Sequence, residues 1–187
     1  MGCCGLYGLI ASALTTYYGP AATGSGVAEL IGYLNGVNYP GFIKIRTLIT
    51  KIFGVSFGVS GRLCVGKEGP LAHIGAICGA CSIYIPGLDL NFMKNDETKR
   101  LLIACGASCG VSAAFGAPIG GALFCYELSS PNTFWKFTMI WRVFFTCCLG
   151  NFILAIWGSI FSGNYTDWSG ANIKFGSFTD TTNVNIV

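Results

Sequence analysis

Four long stretches of the chain contain no Asp, Glu, Lys or Arg: residues 1–28, 69–88, 101–126 and 143–166. A helix that crosses the hydrocarbon of a bilayer needs roughly 20 largely apolar residues, and at least three of these stretches are long enough. The pattern predicts helices near 3–18, 26–35, 41–60, 69–85, 97–115, 118–128 and 134–161. Several of them are too short to span about 30 Å of hydrocarbon alone. Breaks rich in Gly or containing Pro separate them, at Gly24-Ser25-Gly26, at Gly66-Lys67-Glu68-Gly69-Pro70 and at Gly116-Ala117-Pro118. A break leaves backbone groups unpaired, which a bilayer tolerates only where the break lines a cavity or is buried in protein. Short apolar segments interrupted in this way point to the binding region of a transporter or channel. Two polar segments complete the pattern. Residues 89–100 mix acids and bases and read as a surface loop running into a helix, and the end of the chain is rich in Asn, Thr, Ser and Gly. Residues 1–162 therefore read as a membrane domain and 163–187 as a polar loop or tail. Asn164-Tyr165-Thr166 in that tail is an N-glycosylation sequon, of use only on a non-cytosolic face.

Composition narrows the class. Of the 187 residues, 52% are hydrophobic and 10% charged, with a mean hydropathy of +0.60. A soluble domain carries about 25% charged residues, so this chain has too few to cover a water-facing surface. The 27 glycines would each cost about 1 kcal/mol in a soluble helix. Inside a membrane, small residues let helices approach closely. Gly54 and Gly58, Gly75 and Gly79, Gly106 and Gly110, and Gly116 and Gly120 are each four apart, which predicts a packed bundle. The N-terminus has no basic region ahead of its apolar run, so a secretory signal fits it poorly. A net charge of +3 identifies no nucleic-acid partner. The basic residues Lys44, Arg46 and Lys51 stand against Lys94, Lys99 and Arg100, so the positive-inside rule assigns no orientation.

Cysteine chemistry adds little. Cys78 and Cys81 form a C-x-x-C pair with His73 nearby, but a structural zinc site takes four ligands, usually from two such pairs. The other eight of the ten cysteines lie in apolar runs and read as small hydrophobes. No metal or cofactor is expected.

The segment from Gly61 to Lys67 fits G-x-x-x-x-G-K. A phosphate-binding loop then needs Ser or Thr to ligate magnesium, and Glu68 would repel phosphate instead. Pro70 suits the first turn of a helix beginning near Gly69, and the preceding glycines allow close backbone approach. A helix N-terminus offers unpaired N–H groups and a positive dipole end, which together bind anions. Similar starts are predicted near Ser25 and Pro118, and all three are expected to point toward one region. Such a site binds a halide without trapping it, as conduction requires.

These residues carry a family resemblance. Gly66-Lys67-Glu68-Gly69-Pro70 is similar to the G-[KR]-E-G-P signature of CLC chloride channels and proton-coupled exchangers. Gly24-Ser25-Gly26-Val27-Ala28-Glu29 resembles their G-S-G-I-P-E signature and is followed by Leu34-Asn35-Gly36. The run from Gly110 to Gly121 resembles the segment leading into the helix before their internal glutamates. The resemblance covers roughly Leu9 to Phe178. It implies an all-α integral membrane fold, a bundle of tilted and broken helices corresponding to the first of two inverted repeats. It also implies chloride as the transported ion, a multi-pass place in the bilayer, a second-half segment as partner, and a homodimer in the complete protein. Residue by residue, it implies that Ser25 coordinates chloride at a central site. Gly26, Gly66, Lys67, Gly69 and Pro70 would lie beside the anion, and Glu68 would be the gating carboxylate. Taken without the resemblance, Glu68 also fits a buried ion pair with Lys67 or Arg62.

Three departures qualify what is implied. Val27-Ala28 stands where the signature has Ile-Pro, so the helix start at Ser25 lacks its proline. Glu127-Leu128 stands where exchangers have two consecutive glutamates, and Leu128 falls on the internal proton-transfer position. Leucine carries no proton, which favours uncoupled conduction over exchange. The second-half signature G-x-F-x-P does not occur. A fragment, one half of a split protein, and a truncated, non-conducting structural subunit of a membrane complex all stay open.

Overall fold

The computed structural model describes residues 2–84, 95–129 and 136–162. Every regular element among the described residues is helical: α1 (Gly2–Tyr17), α2 (Val27–Leu34), α3 (Ile45–Ser60), α4 (Glu68–Cys81), α5 (Asp96–Phe115), α6 (Pro118–Ser129) and α7 (Met139–Ser162). Short 3-10 turns at Pro20–Ala22 and Ser82–Tyr84 follow α1 and α4. The all-α bundle of broken helices expected from the apolar pattern is what the chain forms. At 1.5 Å per residue, α4 is about 21 Å long and α7 about 36 Å. Among the described residues, Met139–Phe161 is the one helical segment long and apolar enough to cross a membrane by itself. Its exposed side chains include Trp141, Phe145, Phe152, Trp157 and Phe161, a surface suited to lipid or protein rather than water.

The centre of the bundle is the pairing of α4 with α5. A methyl group on Gly75 would strike the Gly106 backbone, one on Gly79 the Leu102 backbone, and one on Gly110 the Leu71 backbone. Contacts that climb one helix while descending the other make the pair antiparallel. Backbone lies on backbone along this seam, as the spacing of Gly75 and Gly79 and of Gly106 and Gly110 predicted. The other two pairs make no such contact, since a methyl on Gly54, Gly58 or Gly120 would meet only side chains at ordinary distance and Gly116 ends α5. Around it Leu30, Leu34, Phe42, Ile103, Val143 and Cys147 are buried in a single core cluster. Helix α6 packs on α5 and α7, and α1 packs on α3. An apolar groove of about 420 Å³ runs between α6 and α7 past Ile119, Leu123, Tyr126 and Trp141.

Local chemistry fixes the boundaries. Asp96 and Glu97 occupy the first turn of α5, and the helix stops at Gly116 in the left-handed region, φ +67°; acids suit a helix start and glycine its end. Arg100 donates through Nη1 to the Leu34 carbonyl at 3.1 Å, capping the C-terminus of α2. The third helix begins at Ile45 rather than near 41. Gly41 has φ +89°, and Thr47 Oγ1 donates to the Gly41 carbonyl at 2.7 Å, so residues before 45 form a turn that carries Phe42 into the core. The fourth ends at Cys81, where the chain tightens to 3-10 geometry and buries Ile83. The seventh starts at Met139 after a turn at Phe137 and Thr138. The tail 163–187 and the Asn164 sequon lie outside the described residues.

Candidate anion site

The Ser25 turn is set by its flanking glycines. Gly24 and Gly26 have φ of +76° and +84°, values that favour glycine because a Cβ would crowd the backbone. The Gly26 carbonyl accepts the first helical hydrogen bond, from Leu30 N–H at 3.0 Å. Helix α2 therefore starts at Val27 without the proline of the family signature. No side chain caps Gly26, and the Val27 N–H to Ser25 Oγ approach is long, at 3.4 Å. The first N–H groups of α2 are thus only lightly held, which leaves them for an anion.

Helix α4 brings the second start to the same place. Glu68, Gly69 and Pro70 are its first three residues. A Cβ on Gly69 would sit 2.6 Å from Ser25 Cβ, so only glycine permits this approach. A Cβ on Gly66 would fall 2.6 Å from Glu68 Oε2, which shows the carboxylate turned back over the glycine before it. Lys67 is exposed at the N-cap position. Ser25, Gly66 and Pro70 all line one cavity of about 490 Å³, whose far wall is Ala11, Ser12 and Thr15 of α1. Of the sequence-predicted residues, Ser25, Gly26, Gly66, Glu68, Gly69 and Pro70 are therefore brought together. Ser25, Gly66 and Pro70 line the cavity itself, and Gly26, Lys67, Glu68 and Gly69 border it without lining it.

The Pro118 start is not part of this wall, contrary to the expected meeting of three helix starts. Gly121 of α6 is pressed against the Ser108 backbone, and Ile119 opens onto the α6–α7 groove. Leu128 packs half-buried against the core cluster, and neither it nor Glu127 lines the cavity.

Two residues beneath the Ser25 turn are not marked as site residues by any motif. Lys51, weighed in the sequence with the basic residues that bear on orientation, is not a surface charge. It is 2% exposed, and its Nζ donates to the Ala22 carbonyl at 3.1 Å and the Gly24 carbonyl at 2.8 Å. Two of its three N–H donors thus tie down the turn, and its side chain lines the cavity. His73 is 1% exposed and turns away from the C-x-x-C pair. Its ring stacks on Phe42 at 4.3 Å with 12° between planes, and Nε2 lies 3.1 Å from the Phe42 carbonyl. The sequence did hold a signal for both: each is an ionisable residue in the interior of an apolar helix whose other charge, Arg46 or Glu68, lies in the first turn, and ionisable residues inside such helices are costly and functional.

Comparison with known proteins fits this geometry. A family model described as voltage gated chloride channel matches residues 7–177. The chain belongs to the CLC family. CLC proteins are membrane proteins that transport anions. This CLC chain is 37% identical to the bovine (Bos taurus) protein named H(+)/Cl(-) exchange transporter 7, over 96% of its own length and 23% of the relative's. It is 38% identical to the human (Homo sapiens) protein of that name over 91% of the chain and 22% of the relative. It is 43% identical to Chloride channel protein CLC-d of Arabidopsis thaliana, over 73% of the chain and 18% of the relative. The chain spans roughly a fifth of the length of these relatives, whose names include both exchangers and channels.

Proposed function

We propose that this chain supplies the anion-coordinating half of a CLC-type chloride pathway, completed by a second-half segment. The observation that carries the reading is the meeting of two helix starts, at Ser25 and at Gly69-Pro70, against one cavity. Backbone N–H groups at the starts and the Ser25 hydroxyl would hold chloride by partial charges. The buried Lys51 ammonium stands behind the turn and raises the anion's local concentration without having to contact it. Binding of this strength suits passage, since an ion must leave as readily as it enters. Glu68 gates the pathway. Its carboxylate imitates the anion and competes for the same donors, and protonation removes the competing charge. Gly66 provides the room in which that carboxylate lies.

Leu128 favours uncoupled conduction, because a leucine at the internal proton-transfer position relays no proton. The second reading is chloride/proton exchange by another proton route, and the names of the bovine and human relatives favour it. The deciding experiment records proton uptake beside chloride flux in sealed vesicles carrying the complete assembly. Chloride flux without stoichiometric proton movement supports the channel, and robust coupling supports the exchanger. An assembly that carries no chloride in either case refutes the pathway and leaves a structural subunit.

A further inference from the structure

His73 is the chain's sole histidine, and the anion chemistry above makes no use of it. Its surroundings are unusual for a buried imidazole. The Phe42 carbonyl can only accept, so the proton sits on Nε2. The other ring nitrogen, Nδ1, is buried and has no hydrogen-bond partner. That nitrogen faces the Ser25 turn. A methyl group at position 26 would lie 2.7 Å from His73 Cγ and 2.9 Å from its Cβ, and closer still to Nδ1. The ring thus forms the floor on which Gly26 rests. The far side of the ring is held by Phe42, whose own ring and carbonyl both engage it. The charged groups that act on His73 are Lys51 and Glu29, one beneath the turn and one in the first turn of α2.

We propose that His73 is a positioning residue for the Ser25 anion site, and that the Nε2–H, bare-Nδ1 tautomer is the binding-competent form. Only that form donates to Phe42 while presenting a lone pair, not an N–H, to the Gly26 backbone. A proton on Nδ1 would put a buried donor against Gly26 with nothing to receive it, and would lift the turn that aims the α2 N-terminus. The partial charges that meet the anion are thereby set from behind, by a ring that never touches it. The inference rests on the chloride-pathway reading and deepens it.

A single histidine allows a direct test. Histidine labelled with 15N in this chain alone, reconstituted with its second-half segment as the complete assembly, yields one pair of ring signals, followed by NMR as chloride is added, with gluconate as control. In the same sample calorimetry measures chloride binding. The expected result is a protonated Nε2 and a bare Nδ1 whose signal moves saturably with chloride, at the midpoint given by calorimetry, and not with gluconate. His73→Phe keeps the stack on Phe42 but orphans the carbonyl, and should weaken chloride binding about tenfold while helix content holds. His73→Gln, whose amide can still donate to Phe42, should recover most of that loss. A purely structural ring would lower the yield of both variants and leave the affinity of the folded fraction alone. Three outcomes overturn the proposal while leaving the pathway standing. They are a proton on Nδ1, ring signals indifferent to chloride that calorimetry sees bind, and a folded His73→Phe protein of unchanged affinity. If His73→Phe does not fold, the NMR titration of the unmodified chain decides. Absence of chloride binding by calorimetry refutes the pathway reading and the positioning role with it.

Discussion

Replacing Lys51 with Met removes the ammonium while nearly preserving side-chain length and volume, so the packing of α3 is disturbed little. What is lost is a pair of charge-assisted hydrogen bonds, at 3.1 and 2.8 Å, to the Ala22 and Gly24 carbonyls. A hydrogen bond to a charged group contributes about 1.5–3 kcal/mol, which for two suggests about 3–6 kcal/mol. Against this, the variant no longer buries a charge, and the penalty of doing so is several kcal/mol even where relaxation is complete. Relief of that penalty makes the net loss smaller than the sum of the bonds, although the charge of Glu29, which offsets part of the penalty in the unmodified chain, limits the relief. A loss of about 2 kcal/mol, localised to the turn, is expected, with both carbonyls left to find other donors. Since 1.4 kcal/mol is tenfold in an equilibrium, local opening of residues 22–27 should become about thirtyfold more frequent. Hydrogen exchange followed by mass spectrometry reads this in a peptide spanning the turn, with the α4–α5 seam as internal reference. Faster exchange at the turn with an unchanged seam is the expected pattern. Equal acceleration of both would mean that Lys51 supports the whole bundle, and no acceleration would mean that it does not hold the turn at all.

Other expected outcomes follow from named contacts. Gly69→Ala places a methyl group 2.6 Å from Ser25 Cβ; overpacking of this kind costs about 1–3 kcal/mol, and calorimetry should find chloride binding lost before thermal unfolding finds the bundle lost. Gly106→Ala drives a methyl into the Gly75 backbone, where neither partner has a side chain to rotate away. It should lower the unfolding temperature in detergent, by an amount set by the same overpacking cost of about 1–3 kcal/mol or more. Glu68→Gln keeps the shape of the side chain and removes its titration, so chloride flux in a complete assembly should lose most of its pH dependence. Retained pH dependence in that variant would move the gate to another group.

Much of this arrangement was legible in the chain as a string, and the unread part has a common cause. The helix starts at 27, 68 and 118 were visible because glycine and proline restrict the backbone locally. The α4–α5 seam was visible because glycines four apart share a helix face. The third helix was placed four residues early because its start depends on Thr47 reaching back to Gly41, a side-chain contact that no periodicity reports. The supports of the anion site depend on contacts still more distant in sequence. Lys51 meets carbonyls 29 and 27 residues away, and His73 meets one 31 residues away. Lys51 therefore read as one basic residue among several, and His73 as a neighbour of Cys78. Pro118 erred the other way. It has the local grammar of a helix start beside a ligand, but Gly121 is spent on packing against Ser108 and Ser112.

The glycine seam also has a mechanical meaning. Side chains between two helices behave like bearings, since rotamer changes let one helix slide or roll against the other at modest cost. Between α4 and α5 there are none at Gly75, Gly79, Gly106 and Gly110, and bare backbones interlock. A slip of one helix along the other would drive carbonyls into alpha carbons at several levels at once, so the two move as one stiff plate. Helix α4 carries Glu68, Gly69 and Pro70 at its tip, and that tip is therefore fixed in the frame of α5. Any opening and closing mounted there must be accomplished by the swing of a side chain and not by travel of the helix.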